Sequence, residues 1–287
     1  MSELETACRQ LRAHGVAGFL FTLITAEVDL LCQQMCQLVK WRQESPIIHE
    51  MVEGVHLEGP FISEVDGYRG AHPIHAVIDP NPKVLNQLVS ASGGLLRLVT
   101  LAPERKGGRE AICEFVKRGV TVSLGHTNAS EHEIDRAITA GASLCTHLGN
   151  GAPQMLHRHD NIINRLLSRD ELTACFIPDG VHIPFPVLKN YVRIKGWRRS
   201  IFTTDCMAAA AAPSGLYTLG ELELVVGADR IVRQPDHSGF AGSSLTPDEA
   251  VLCLQSHFGV TREDAEQSMG DRVRQLLNLP LIQAEVL

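Results

Sequence analysis

The 287-residue chain has no Lys/Arg block: 26 basic residues against 33 acidic ones leave a net charge of −7. That distribution lacks the footprint of a nucleic-acid binder and points to a small-molecule partner, with neither nucleic acid nor membrane among its contacts. Long hydrophobic runs are also missing. The most apolar early stretch, Val16 to Thr25, covers ten residues and is followed by Glu27 and Asp29. A bilayer-spanning helix needs about 20. The N-terminal MSELETACRQ has neither a basic n-region nor an apolar h-region, so no secretory leader is expected and the chain reads as cytoplasmic. None of the eight cysteines forms a C-x-x-C pair, which argues against a thiol-ligated metal or a redox motif. Cys32 and Cys36, four apart on an expected helix, are read with the others as reduced core thiols. There is no internal repeat, no low-complexity tract, no G-x-G-x-x-G and no P-loop.

What is present is an ordinary globular composition, 44% apolar and 21% charged, long enough for one large domain or two modest ones. Short apolar runs alternate with helical patterns, the signature of βαβ units. Seven runs read as strands: 16–25, 54–59, 95–103, 120–126, 143–148, 172–180 and 200–205. Helices are expected over 26–41, 108–118 and 131–140, the last behind the polar stretch Thr127 to Glu131. Beyond Asp205 the pattern changes. Residues 217–234 read as a hairpin turning at Gly227-Ala228-Asp229. Thr246-Pro247-Asp248-Glu249 opens a helix with proline at its first position and acids in its first turn. Another helix starts near Thr261, with Gly270 as a weak point.

Glu58, His126, His147, Asp179 and Asp205 all fall at or just past the C-terminal ends of expected strands. A (β/α)8 barrel assembles its site there from several strands, whereas an open doubly wound sheet gathers its ligand at one switch point. The barrel is therefore the expected fold. Taken singly, each residue has an ordinary structural reading; the case rests on their coincidence. His126 and His147 lie 21 residues apart, about one βα unit, so they end adjacent strands. With Glu58 they form a two-histidine, one-carboxylate set that suits zinc, Fe(II) or another divalent ion. Asp205 is the carboxylate placed to take and return a proton. Asp179, before Gly180, reads as a turn-former.

The segments HLEGPFIS (56–63), GAHP (70–73), SLGHTNAS (123–130), THLGNGAP (146–153), PDGVH (178–182), TTDCMAA (203–209) and FAGSSLT (240–246) resemble, in order and spacing, the signature segments of N-acetylglucosamine-6-phosphate deacetylases of the amidohydrolase superfamily. The likeness covers nearly the whole chain. It implies a metal-dependent (β/α)8 barrel, commonly a homodimer, that removes acetate from the 2-acetamido group of the phosphosugar. By match to the motifs, Glu58, His126 and His147 would hold one divalent ion, with zinc expected. Asp205 would be base and then acid, and His72 would polarise the acetamide carbonyl. Ala71, Asn150, Gly151, Arg158, His182, Phe240, Ala241 and Gly242 would contact the substrate, with Arg158 on the phosphate.

Two departures go with the likeness. The chain opens on a helix-like segment and proceeds to what matches the family's second barrel strand. It ends without the strands that return to the family's accessory β-sandwich. A single catalytic barrel domain over 1–287, lacking the first strand and the sandwich, is therefore expected. Glycines at 149 and 151 replace bulkier residues, which suggests a looser loop. A related amidohydrolase with a shifted N-acetyl-sugar substrate, and a non-catalytic truncated homologue acting as a binding partner, are the alternatives.

Overall fold

The computed structural model describes residues 1–207, 210, 213–219, 222–236 and 239–282. The sequence features at Ala208, Ala209 and 283–287 lie outside them. The chain opens with α1 (Ser2–Ala13), β1 (Phe19–Ile24), α2 (Val28–Glu44), α3 (Pro46–Met51) and β2 (Val52–Glu58). Then α4 (Pro82–Ala91), β3 (Leu96–Leu101), α5 (Gly108–Lys117), β4 (Thr121–Leu124), α6 (Glu131–Thr139) and β5 (Leu144–Cys145) follow. The series continues through α7 (Ile162–Leu167), β6 (Thr173–Phe176), α8 (Phe185–Lys195) and β7 (Ser200–Phe202). All seven expected strands form; β2 starts two residues before its expected run, and the other six are shorter than theirs.

Strands β1 to β7 form one parallel sheet in chain order, with helices between successive strands. This is the wall of a (β/α) barrel. Among the described residues, β1 pairs only with β2 and β7 only with β6. Strands β2, β4 and β7 are buried in near-continuous runs, as parallel strands covered on both faces require, whereas the edge strand β1 buries only Leu23. Leu57, Val99, Val122, Leu124 and Phe176 pack in the core with Phe115 and Leu188 from the flanking helices.

The helix starts follow the sequence closely. Ser130 and Glu133 form a capping box on α6. The same reciprocal bonds start α9 (Pro247–Phe258) from Thr246 and Glu249, and α10 (Arg262–Met269) from Thr261 and Asp264. Each such cap is worth about 0.5–2 kcal/mol. Gly270 does break the last helical stretch, separating α10 from α11 (Asp271–Leu276). Lys195 is buried, and its ammonium donates to the carbonyls of Leu166 and Arg169, closing the C-terminal end of α7.

The hairpin expected over 217–234 is a three-stranded antiparallel sheet instead. It consists of β8 (Gly215–Leu219), β9 (Leu222–Val226) and β10 (Val232–Arg233). The 227–229 turn joins β9 to β10, while the run read as one strand contains both β8 and β9, which pair antiparallel; residues 220–221 lie outside the described residues. Leu224, Val226, Val232 and Ala241 give this small sheet its own core. Among the described residues no helix is long and apolar enough to cross a membrane. The eight cysteines are free thiols, but Cys36 and Cys113 are exposed rather than core.

Candidate metal centre and active site

Glu58 ends β2, and His126 and His147 follow the ends of β4 and β5. Parallel pairing puts these ends on one side of the sheet, where the three side chains converge. Glu58 Oε1 lies 3.0 Å from His126 Nε2 and 2.9 Å from His147 Nε2, and the two nitrogens are 3.2 Å apart. All three residues are buried. His126 Nδ1 lies 3.0 Å from the Tyr68 carbonyl, which accepts its proton and fixes the ring with Nε2 toward Glu58 and His147. One carboxylate oxygen and two imidazole nitrogens gathered this closely are a donor set that fits a divalent ion.

The electrostatics agree. Burial works against a charged Glu58, but the bonds from His126 and His147 overcome it and hold its pKa well below the usual range. Burial likewise opposes a charged His147, yet the Glu58 bond and the charges of Glu58 and Asp205 push it up to about 9. A site that attracts protons this strongly attracts other cations as well.

His126, His147 and Asp205 share a further property. Their φ angles are +50°, +25° and +51°, the left-handed region that non-glycine residues rarely adopt. Each costs about 1–3 kcal/mol. The carbonyl of each is caught. Ser63 N–H donates to His126 O at 2.8 Å, Asn150 N–H to His147 O at 3.0 Å, and Ser243 N–H to Asp205 O at 3.1 Å. The strained turns swing three polar side chains off the strand ends into one mouth.

His72 packs edge-on against His126, ring centroids 4.4 Å apart. Its Nδ1 lies 2.9 Å from the Thr25 hydroxyl and 3.4 Å from the Thr25 N–H, which fix the ring in place. Burial, reinforced by the charge of His126, drops its pKa to about 3, so the ring is neutral. Asp205 moves the other way. Burial raises its pKa; the His147 charge opposes that and the Glu58 charge adds to it.

Asp179 is the turn-former that Asp-Gly suggests, since its Oδ1 accepts from the N–H groups of Val181 and His182. Its Oδ2 also lies 2.6 Å from His182 Nδ1, a pairing that the i, i+3 spacing could have revealed. The His182 ring packs against Phe240, 4.9 Å between centroids.

A cavity of about 2720 Å³ runs from this mouth past β1 and β7 to α1, α10 and α11. Glu58, Ala71, His72, His126, His147, Asn150, Gly151, His182, Asp205, Phe240, Ala241 and Gly242 all line it. Arg158 does not; it is exposed on the 149–160 loop. The loop glycines are not loose spacers. Gly149 and Gly151 take φ of +104° and +59°, and a Cβ on Gly149 would lie 2.6 Å from Ile183 Cδ1.

No family model matches the chain. It is similar to the N-acetylglucosamine-6-phosphate deacetylase of Lysinibacillus sphaericus, 31% identical over 92% of this chain and 67% of that protein. An N-acetylgalactosamine-6-phosphate deacetylase of Escherichia coli O157:H7 is also 31% identical, over 88% of this chain and 65% of that one. Among solved structures, a variant N-acetyl-D-glucosamine-6-phosphate deacetylase from Mycobacterium smegmatis, in complex with N-acetyl-D-glucosamine-6-phosphate, superposes with a TM-score of 0.87 at 31% identity. That match covers 96% of this chain and 71% of the other. The chain thus spans about two thirds of the length of these relatives.

Proposed function

Since the chain belongs to the N-acetylglucosamine-6-phosphate deacetylase family, we propose that it hydrolyses the acetamide of N-acetyl-D-glucosamine 6-phosphate to D-glucosamine 6-phosphate and acetate. We assign the role to the 287 residues as one catalytic domain, with zinc as the ion, acting as a homodimer in the cytoplasm. The observation that carries the proposal is the convergence of Glu58, His126 and His147 with His72 and Asp205 on one cavity.

Glu58, His126 and His147 would hold the ion, which when bound polarises an amide carbonyl and acidifies water. His72 is neutral, and in this reading its ring proton sits on Nε2 and is donated to the carbonyl oxygen as negative charge develops there. Asp205, with its proton affinity raised by burial, takes a proton from the attacking water. It returns that proton to the amide nitrogen as the C–N bond breaks, so the amine leaves neutral. Ala71, Gly151, His182 and the 240–242 segment form the sugar wall. Asn150 spends one amide N–H on His147 and keeps its Oδ1 for the sugar. Arg158 is assigned to the phosphate for its planar fork, reaching it from the exposed loop.

The test is acetate release from the phosphosugar by zinc-loaded protein, with His126→Ala as the metal-site control. Turnover lost in the control supports the reading. No turnover with zinc, iron or manganese overturns it. A second reading is the 4-epimeric phosphosugar, favoured by the E. coli relative. A higher kcat/KM on N-acetylgalactosamine 6-phosphate selects it.

A further inference from the structure

We propose that Glu104 is a positioning residue for the metal ligand His126, holding the turn that follows it so that the imidazole stays aimed at Glu58 and His147. The inference rests on the metal-centre reading above.

Strands β3 and β4 are paired neighbours, with Leu101 beside Leu124. Two loops leave their ends side by side, and Gly125 N–H donates back to Leu101 O at 3.2 Å. One loop carries Glu104 and the other carries His126. The Glu104 carboxylate reaches across. Its Oε1 accepts from Asn128 N–H at 2.8 Å, and its Oε2 accepts from the Thr127 hydroxyl. Thr127 Oγ1 in turn accepts from Ala129 N–H at 3.0 Å. The two residues directly after His126 are thereby tied to a neighbouring strand end.

This matters because His126 is left-handed. An unsupported non-glycine residue relaxes toward negative φ, and that rotation carries its side chain away. The chain must be held on both sides of the strained peptide. Ser63 holds the carbonyl of His126, Tyr68 holds its Nδ1, and Glu104 holds what comes next. Glu104 is the only carboxylate that accepts from residues 127 and 128 among the described hydrogen bonds. A carboxylate suits the task because it accepts both bonds at once, with charge-assisted strength. Burial raises the Glu104 pKa, and the Thr127 and Asn128 bonds oppose the rise.

The experiment measures Zn2+ affinity by competition against a chromogenic chelator. It compares wild type, Glu104→Ala, Glu104→Gln, Thr127→Val and, as control, Glu133→Ala. The control removes the capping box of α6 from the same connection without touching residues 126–128. Thermal midpoints of the chelated proteins run alongside. Loss of a partner that orients a metal ligand typically weakens binding about 10–100-fold. That loss is expected for Glu104→Ala, with a smaller loss for Glu104→Gln, which keeps one acceptor, and for Thr127→Val. Glu133→Ala is expected to lower the midpoint and leave the affinity unchanged. If Glu104→Ala does not fold, Glu104→Gln and Thr127→Val carry the comparison. Wild-type affinity in the Glu104 and Thr127 variants overturns the proposal, as does an equal loss in Glu133→Ala. Absence of Zn2+ binding by the wild type overturns the metal-centre reading itself, a separate and visible outcome.

Discussion

Asn150 donates twice to the carbonyl of His147, from its backbone N–H at 3.0 Å and its side-chain amide at 3.1 Å. The residue expected to read the sugar is thus also a clamp on a metal ligand. Asn150→Ala removes the side-chain half of the clamp. One such bond is worth about 0.5–1.5 kcal/mol net. Zinc affinity is expected to fall roughly two- to tenfold, read by chelator competition. A KM effect with unchanged zinc affinity would leave Asn150 as a substrate contact alone.

Much of this site is legible in the sequence, and the reasons are local. Seven apolar runs mark seven strands, and the polar residues Glu58, His126, His147, Asp179 and Asp205 at the ends of five of them mark the side on which the chemistry gathers. The clamps are not legible, because they join residues distant in sequence. Tyr68 reaches His126 across 58 positions, and Glu104 reaches Asn128 across 24. Nor does a histidine announce that its φ is positive. Burial around the strand end imposes that, and no propensity signals it. The short β5 has the same origin, since the chain leaves the sheet at once to turn at His147. Arg158 shows the opposite limit. Its sequence context matches a phosphate contact, while its exposure is set by the course of the whole 149–160 loop.

Acid should destabilise the fold through His72. Its folded pKa is about 3, below the ordinary value of 6.5. Above pH 6.5 both folded and unfolded chains hold it neutral, so it contributes no pH dependence there. Below 6.5 the unfolded chain gains a proton that the folded one refuses, and stability falls until pH 3. By linkage the loss reaches about 2–3 kcal/mol between pH 6.5 and 4.5. His56, lowered to about 4 by burial, acts in the same direction. Thermal midpoints of chelated protein should drop over this range, and less steeply in His72→Gln. Equal slopes in the two proteins would remove His72 from the account.

Cysteine labelling separates two environments. Burial pushes Cys145 and Cys175 up to about 12, whereas Cys36 and Cys113 are exposed. At pH 8 an ordinary thiol is roughly a quarter thiolate, and one with a pKa of 12 about one part in ten thousand. A short iodoacetamide pulse should modify Cys36 and Cys113 and spare Cys145 until denaturant is added. Peptide mapping by mass spectrometry reads the order. Labelling of Cys145 at the rate of Cys113 would contradict the buried strand end.

Asp205→Asn tests the division of labour in the mouth. Asp205 lies outside the three-residue ligand cluster, so the variant should bind zinc at the wild-type stoichiometry. It should still lose turnover, because an amide side chain cannot take the water proton or return it to the leaving nitrogen. General acid–base catalysis is worth roughly 10²- to 10⁴-fold, and acetate release should fall by that much. The pH profile adds a signature. The base must be ionised, and burial raises its pKa, so the acid limb of kcat/KM should lie above the ordinary carboxylate value of about 3.9. Residual activity in Asp205→Asn should lack that limb. Full turnover in the variant, or a zinc content that falls with the activity, would take the proton-transfer role away from Asp205.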